Sequence, residues 1–228
     1  MTFSIAAIEP ESNKTGVAIA TVFPAVGAIC PFVNEKVAVS TQSWDSGRSY
    51  GEDAVEMVNR DLTLPTACEA LLEDHEGASY TQLHGIESGG RKFSYTGDHA
   101  VSWAGHDDGE NHTVAGNMLA GEETIQATSE AFEESEGSFE ERLLTALEAG
   151  EEAGGDKRGD NISAALLIHA PEPKLYHNLR VDKPGSPIAD LREAYDVAKE
   201  TEEDLPNDVR DDVGEDYPES LIQFDIKY

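Results

Sequence analysis

Positive charge is scarce in this chain. Lys and Arg together number 16 against 46 Asp and Glu, a formal net charge of −30 over 228 residues. Such a surface repels nucleic-acid phosphates and anionic membranes. Basic stripes with interleaved aromatics are also missing, which argues against a nucleic-acid partner. Cys30 and Cys68 are the only cysteines. Their spacing fits no metal or redox motif, and Cys68 falls on an apolar helix face, so buried thiols are expected rather than a disulfide. No run approaches the ~18 apolar residues of a membrane span. The N-terminus lacks the basic and apolar regions of a signal peptide, and the expected compartment is the cytoplasm. There is no Walker A sequence, and no G-x-G-x-x-G follows the first strand, against a nucleotide-binding doubly wound fold. Gly85-Ile86-Glu87-Ser88-Gly89 holds its Ser one position late for a nucleophile elbow. No cofactor is expected.

The residues that are present describe a globular domain. Hydrophobic residues make up 39% of the chain and recur with regular periods, unlike an acidic disordered protein. The length suits a single domain over residues 2–228. The acidic excess resembles that of cytoplasmic proteins from salt-accumulating halophilic archaea, where a Debye length of about 3 Å in molar salt makes the self-repulsion tolerable.

The first third reads as β. Thr2 to Ile8 and Gly16 to Thr21 are strands joined by turn formers, a hairpin pattern. Lys36 to Thr41 is a third strand. These runs are continuously apolar, as in strands covered on both faces. Ser49 and Glu52 have capping-box spacing before a helix with Val55, Val58 and Leu62 in a stripe, and Pro65 opens a second helix carrying Cys68, Leu71 and Leu72. Tyr80 to Glu87 and Lys92 to Thr96 form a hairpin about Gly89-Gly90. Two amphipathic helices follow, one with Ile125, Thr128 and Phe132 on its face. The other has Phe139, Leu143, Ala146 and Leu147, with Ser138 and Glu141 as capping box and Gly154-Gly155 as stop. Ile162 to His169 and Leu175 to Arg180 are strands, and Ser186-Pro187 opens a last helix with Leu191, Tyr195 and Ala198. Residues 201–220 read as an acidic, loosely structured segment, with Leu221 to Phe224 as a short docking strand. This order predicts an α+β fold, helices on antiparallel sheets.

Thr2 is the most informative residue. It follows Met1 and opens the first strand, and Thr is small enough for Met1 to be removed. Its hydroxyl and a free α-amine would then be nucleophile and base on one residue. Such an amine titrates near pH ~8.

Several ordered motifs resemble domain-of-unknown-function family 1028. They are Thr2-Phe3-Ser4-Ile5, Gly16-Val17-Ala18-Ile19-Ala20, Ala25-Val26-Gly27-Ala28, Thr41-Gln42, Trp103-Ala104-Gly105-His106, Gly116-Asn117-Met118-Leu119-Ala120-Gly121 and Gly154-Gly155-Asp156-Lys157-Arg158-Gly159 before Ser163-Ala164-Ala165-Leu166-Leu167. The resemblance runs from Thr2 to about His169. It implies the N-terminal-nucleophile hydrolase superfamily, whose members have a four-layer αββα sandwich and attack amide bonds with their first residue. Proteasome-like members carry an Asp soon after the second strand and a Lys on the third; here Thr21 and Lys36 stand near those places.

The expectation is an amidohydrolase acting on a small amide or peptide-like compound, with Thr2 as nucleophile and its amine as base and then acid. Gln42 and Asn117 are candidate oxyanion donors. Asp156, Lys157 and Arg158 form a candidate substrate-carboxylate site, with Arg158 able to grip bidentately. His106 lies in a family-like motif and could line the cleft. His75, His84, His99, His169 and His177 receive no role. The first alternative is a non-catalytic binding or assembly protein with the same fold. The second is a metal-dependent hydrolase at His106 and His112, although residues 106–112 read as a solvated acidic loop whose spacing matches no metal motif. A homodimer is expected as the assembled form.

Overall fold

A computed structural model describes residues 2–43, 48–73, 75–155, 157 and 159–213. Strands β1 (Thr2–Glu9) and β2 (Lys14–Thr21) form the opening hairpin, with Thr2 opposite Thr21 and Glu9 opposite Lys14. A short helix α1 (Val26–Ile29) leads into β3 (Pro31–Asn34), which pairs with β4 (Val37–Ser43). Helices α2 (Arg48–Asn59) and α3 (Leu64–Glu73) precede the hairpin of β5 (Thr81–Glu87) and β6 (Lys92–Thr96). A second hairpin joins β7 (Gly105–Asp108) to β8 (His112–Asn117). Helices α4 (Glu123–Glu134) and α5 (Phe139–Glu152), strands β9 (Ser163–His169) and β10 (Asn178–Asp182), and helix α6 (Pro187–Val213) complete the described chain.

The fold is mixed α+β with antiparallel sheets. One sheet has the order β10-β9-β2-β1-β8-β7 and the other β3-β4-β5-β6. Strand β1 shows why its sequence is apolar at every position. Phe3, Ile5 and Ala7 point one way, into a cluster with Phe132, Phe139, Leu143, Leu147, Leu191 and Tyr195 of α4, α5 and α6. Ala6 and Ile8 point the other way and meet Ala38 and Ile86 of the second sheet, along with Val17 and Ile19 of β2. Helices α2 and α3 cover the remaining face of the second sheet through Ala54, Val58, Leu64 and Cys68, which pack on Val37, Val39 and Leu83. Each fully buried Phe, Ile or Leu here removes enough apolar surface from water to stabilise by about 1.5–3 kcal/mol.

The local signals hold where they are strongest. Ser138 accepts from the Glu141 N–H, and the Glu141 carboxylate accepts from the Ser138 N–H, closing the expected capping box of α5. Gly154 and Gly155 follow α5 with φ of +128° and +47°, conformations that favour glycine. Cys30 and Cys68 are free and buried, and burial pushes the Cys30 thiol up to about 12.

Other expectations are corrected. Residues 106–112 are not a solvated loop but most of the β7–β8 hairpin, closed by the Gly109 N–H to His112 carbonyl bond of 3.1 Å. Strand β7 is an exposed edge, where charges such as Asp107 and Asp108 are tolerated and hide the strand from a hydrophobic-period reading. Helix α6 runs on to Val213, through the first part of the acidic segment read as loose. Once its packed N-terminal turns have formed, adding a residue costs little, and Glu is a good helix former. Ser49 is the second residue of α2, not its N-cap. Leu62 lies beyond that helix and is exposed. Leu175–His177 form a single 3₁₀ turn ahead of β10. Residues 214–220 and the Leu221 to Phe224 strand fall outside the described residues. Among the described residues, no helix is long and apolar enough to cross a membrane.

Candidate active site

Thr2 begins β1 at one end of the six-stranded sheet. Its cross-strand neighbours are Thr21 on β2 and Asn117 on β8, and Thr21 in turn faces Ser163 on β9. Paired residues on adjacent antiparallel strands share a face. Asn117, Thr2, Thr21 and Ser163 therefore make a polar row across the sheet end, directed toward the second sheet. The Oγ1 atoms of Thr2 and Thr21 lie 3.1 Å apart. Thr2 is the most accessible of the four, at 9% exposure, and Asn117 is at 2%.

The second sheet presents polar rows to this end. Gln42, Gln82 and Thr96 are aligned in register across β4, β5 and β6, and Ser40, His84 and Ser94 form the next row. Ala38 and Ile86 come after them and belong to the apolar cluster between the sheets. The inter-sheet space is therefore polar at the Thr2 end and apolar beyond.

Side chains join the rows in one buried network. Ser4 Oγ donates to Gln42 Oε1 at 2.9 Å and lies 2.7 Å from His84 Nε2. Gln42 Nε2 donates to Gln82 Oε1 at 3.3 Å, and Asn117 Nδ2 donates to the same oxygen at 2.8 Å. Gln82 Nε2 faces Gly116 O at 2.8 Å and Thr96 Oγ1 at 3.0 Å, and Thr96 Oγ1 is 2.9 Å from His106 Nδ1. His84 Nδ1 is 2.9 Å from Thr113 Oγ1. Ser4 has one hydrogen and gives it to Gln42. Nε2 of His84 is then the donor to Ser4, and Nδ1 accepts from the Thr113 hydroxyl. Burial pushes the His84 imidazole down to about 3; His106 adds to the fall and a backbone hydrogen bond at Thr113 opposes it. His84 is neutral near pH 7.

The Ser4–His84 distance is that of a nucleophile and its base, but neither residue has any exposed surface. With the Ser4 hydrogen committed to Gln42, the pair ties the sheets together and offers no attacking oxygen. His84 carries no motif in the sequence, where it is a single His between Leu83 and Gly85; its partners on β1 and β8 are 80 and 29 residues away.

The other candidates separate. Gln42 is fully buried behind Ser4 with its amide turned to Gln82, whereas Asn117 stands beside Thr2. His106 pairs with Ala115 on the inter-sheet face of β7. His112 is on the opposite face of the sheet, buried against Phe132 with Nε2 2.8 Å from Ser129 Oγ. The rings of His106 and His112 thus do not converge on one ion, which removes the basis of the metal alternative. Among the described residues, no group of three or more His, Cys, Asp or Glu could hold a metal ion. Lys36 is at the far end of β4 from Gln42, with Nζ 3.1 Å from Asp61 Oδ1, so it is no partner for Thr2. Lys157 Nζ donates to the Ser102 carbonyl and its N–H to Met118 O, next to Asn117. Asp156 and Arg158 lie outside the described residues. His177, also given no role by the sequence, is buried 3.0 Å from Glu140, on the helix side of the fold.

Fold and site define a protein of two antiparallel sheets with a buried polar network between them, ending at Thr2. The chain belongs to the family of unknown function DUF1028, which residues 2–191 match. It is similar in structure to protein SPO2555 of Silicibacter pomeroyi, of the same family: 31% sequence identity, a TM-score of 0.81, and coverage of 87% of this chain and 86% of that one. No curated protein matches it. The resemblance carried by the sequence motifs is therefore a true family relationship.

Proposed function

We propose that this protein is an N-terminal-nucleophile amidohydrolase with Thr2 as its nucleophile. One observation carries the reading: Thr2 opens the central hairpin strand at the polar end of the inter-sheet space, with Asn117 directly across from it. The succession of α4, α5 and α6, the two sheets, and α2 and α3 is read as that superfamily's αββα sandwich. With Met1 removed, the Thr2 amine takes the Oγ1 proton, and Oγ1 attacks the carbonyl carbon of a small amide. The Asn117 amide donates to the oxyanion that forms. The protonated amine passes its proton to the departing nitrogen, the C–N bond breaks, and water hydrolyses the Thr2 ester. Thr21 Oγ1, 3.1 Å from Thr2 Oγ1, orients the hydroxyl where proteasome-like members use charged helpers. Phe23, whose carbonyl accepts from Ser163 Oγ of the same polar row and which is 60% exposed, offers an apolar surface beside it for the rest of the substrate.

The test is in two stages. Intact mass of the native protein shows whether Met1 is removed; a retained Met1 ends the proposal. An amide-library screen in molar KCl then compares the native protein with Thr2→Ala. Turnover by the native protein alone is expected, and equal turnover by both rejects Thr2 as the nucleophile.

A further inference from the structure

We propose that Gln82 is a positioning residue that fixes which way the Asn117 amide faces at the Thr2 site. The inference rests on the reading of Thr2 as nucleophile and Asn117 as oxyanion donor. Gln82 is fully buried on β5 and grips β8 twice, through the Asn117 side chain and the Gly116 carbonyl. Its own orientation is not free. Nε2 faces two backbone carbonyls, Gly116 O at 2.8 Å and Gly105 O at 3.2 Å, and these accept but never donate. A flipped Gln82 amide would set oxygen against oxygen at both places.

That constraint passes to its neighbours. With Oε1 of Gln82 committed, Asn117 must turn Nδ2 toward it, since Oδ1 in that place would leave two acceptors face to face. Gln42 likewise turns Nε2 to Gln82 and leaves its Oε1 to the Ser4 hydroxyl. Asn117 gives one amide hydrogen to Gln82 and keeps the other for a substrate oxyanion beside Thr2. A free asparagine could present either Oδ1 or Nδ2, and only the nitrogen stabilises negative charge. Gln82 makes that choice before substrate arrives, and does so across the gap between the sheets. This is preorganisation of a donor by a residue that never touches substrate.

The test uses acylation of Thr2 by a β-lactone, followed by intact mass. The Thr2 Oγ1–carbonyl bond forms, the lactone ring C–O bond breaks, and the Oγ1 proton passes through the amine to the released alkoxide. Gln82→Met is expected to slow the saturating acylation rate by about 10- to 100-fold with half-saturation unchanged. Combined with Asn117→Ala, it should add nothing to the loss from Asn117→Ala alone. Multiplying losses, or a change confined to half-saturation, would overturn the positioning role. Gln82→Glu serves where Gln82→Met does not fold: its acylation rate divided by that of the wild type at the same pH should rise as pH falls and the buried carboxyl gains a donor hydrogen, the loss of the amine base being common to both. The opposite trend counts against the proposal. Should the wild type form no Thr2 adduct, the nucleophile reading fails, while the Gln82 grip is still decided by NMR. Slow exchange of an Asn117 side-chain amide hydrogen is expected in the wild type and fast exchange in the Gln82 variants; unchanged exchange would sink it.

Discussion

Asn117 lies directly across the β1–β8 pair from Thr2, and its amide is held from behind by Gln82 Oε1 at 2.8 Å. A nucleophile candidate and a hydrogen-bond donor thus sit side by side on adjacent strands, the donor already oriented. Asn117→Ala should lower kcat on an amide found by the screen by about 10²–10³-fold with little change in KM, the loss expected for one oxyanion donor. Thr2→Ser should retain part of the activity, since it keeps hydroxyl and amine. Steady-state kinetics in molar KCl checks both, and an unaffected Asn117→Ala variant would remove that residue from the mechanism.

Ser4 matters for stability, not for chemistry. Ser4→Ala orphans Gln42 Oε1 and His84 Nε2, both fully buried. Each lost partner costs about 1–3 kcal/mol. A denaturant titration should show a lower midpoint at unchanged slope, with the Thr2 acylation rate nearly preserved.

Acid should unfold the protein in two overlapping limbs. His84 binds a proton near its ordinary 6.5 when unfolded but only near 3 when folded, because burial outweighs the backbone contact at Thr113. Its stability contribution is therefore whole above about pH 6.5 and lost progressively down to about pH 3. Burial raises the Glu140 carboxyl, but hydrogen bonds from His177 and Lys14 outweigh this and bring it to about 2. That contribution is whole above its ordinary 4.5 and lost as pH falls toward 2. Unfolding free energy against pH should fall through both windows, and the upper limb should disappear in His84→Gln. A curve of the same shape in that variant would assign the proton elsewhere.

A net charge of −30 sets a third dependence. In dilute buffer the carboxylates repel over a Debye length of about 30 Å, against about 3 Å in molar salt. The melting temperature should rise steeply between 10 mM and molar KCl. A flat response by scanning calorimetry would dismiss the halophilic reading of the composition.

The Ser138 cap gives a local control. Ser138→Ala should cost about 1 kcal/mol, the usual worth of a helix N-cap, in urea unfolding.

The elements legible in the sequence are those whose signals are local. The β1–β2 hairpin follows from two apolar runs around a cluster of turn formers, and α5 follows from Ser138, Glu141 and the glycines after it. Thr2 is legible from its address after Met1 together with the family-like motifs downstream, and Asn117 from its place in one of those motifs. What only the tertiary structure decided is which strands face which. The roles of Gln82 and His84, the opposite faces of His106 and His112, and the distance of Lys36 from Thr2 all depend on the register of strands paired across long stretches of chain. A shift of one residue in any pairing turns each of these side chains to the other face. No local period encodes that register, because it is settled by packing the two sheets and their helices together.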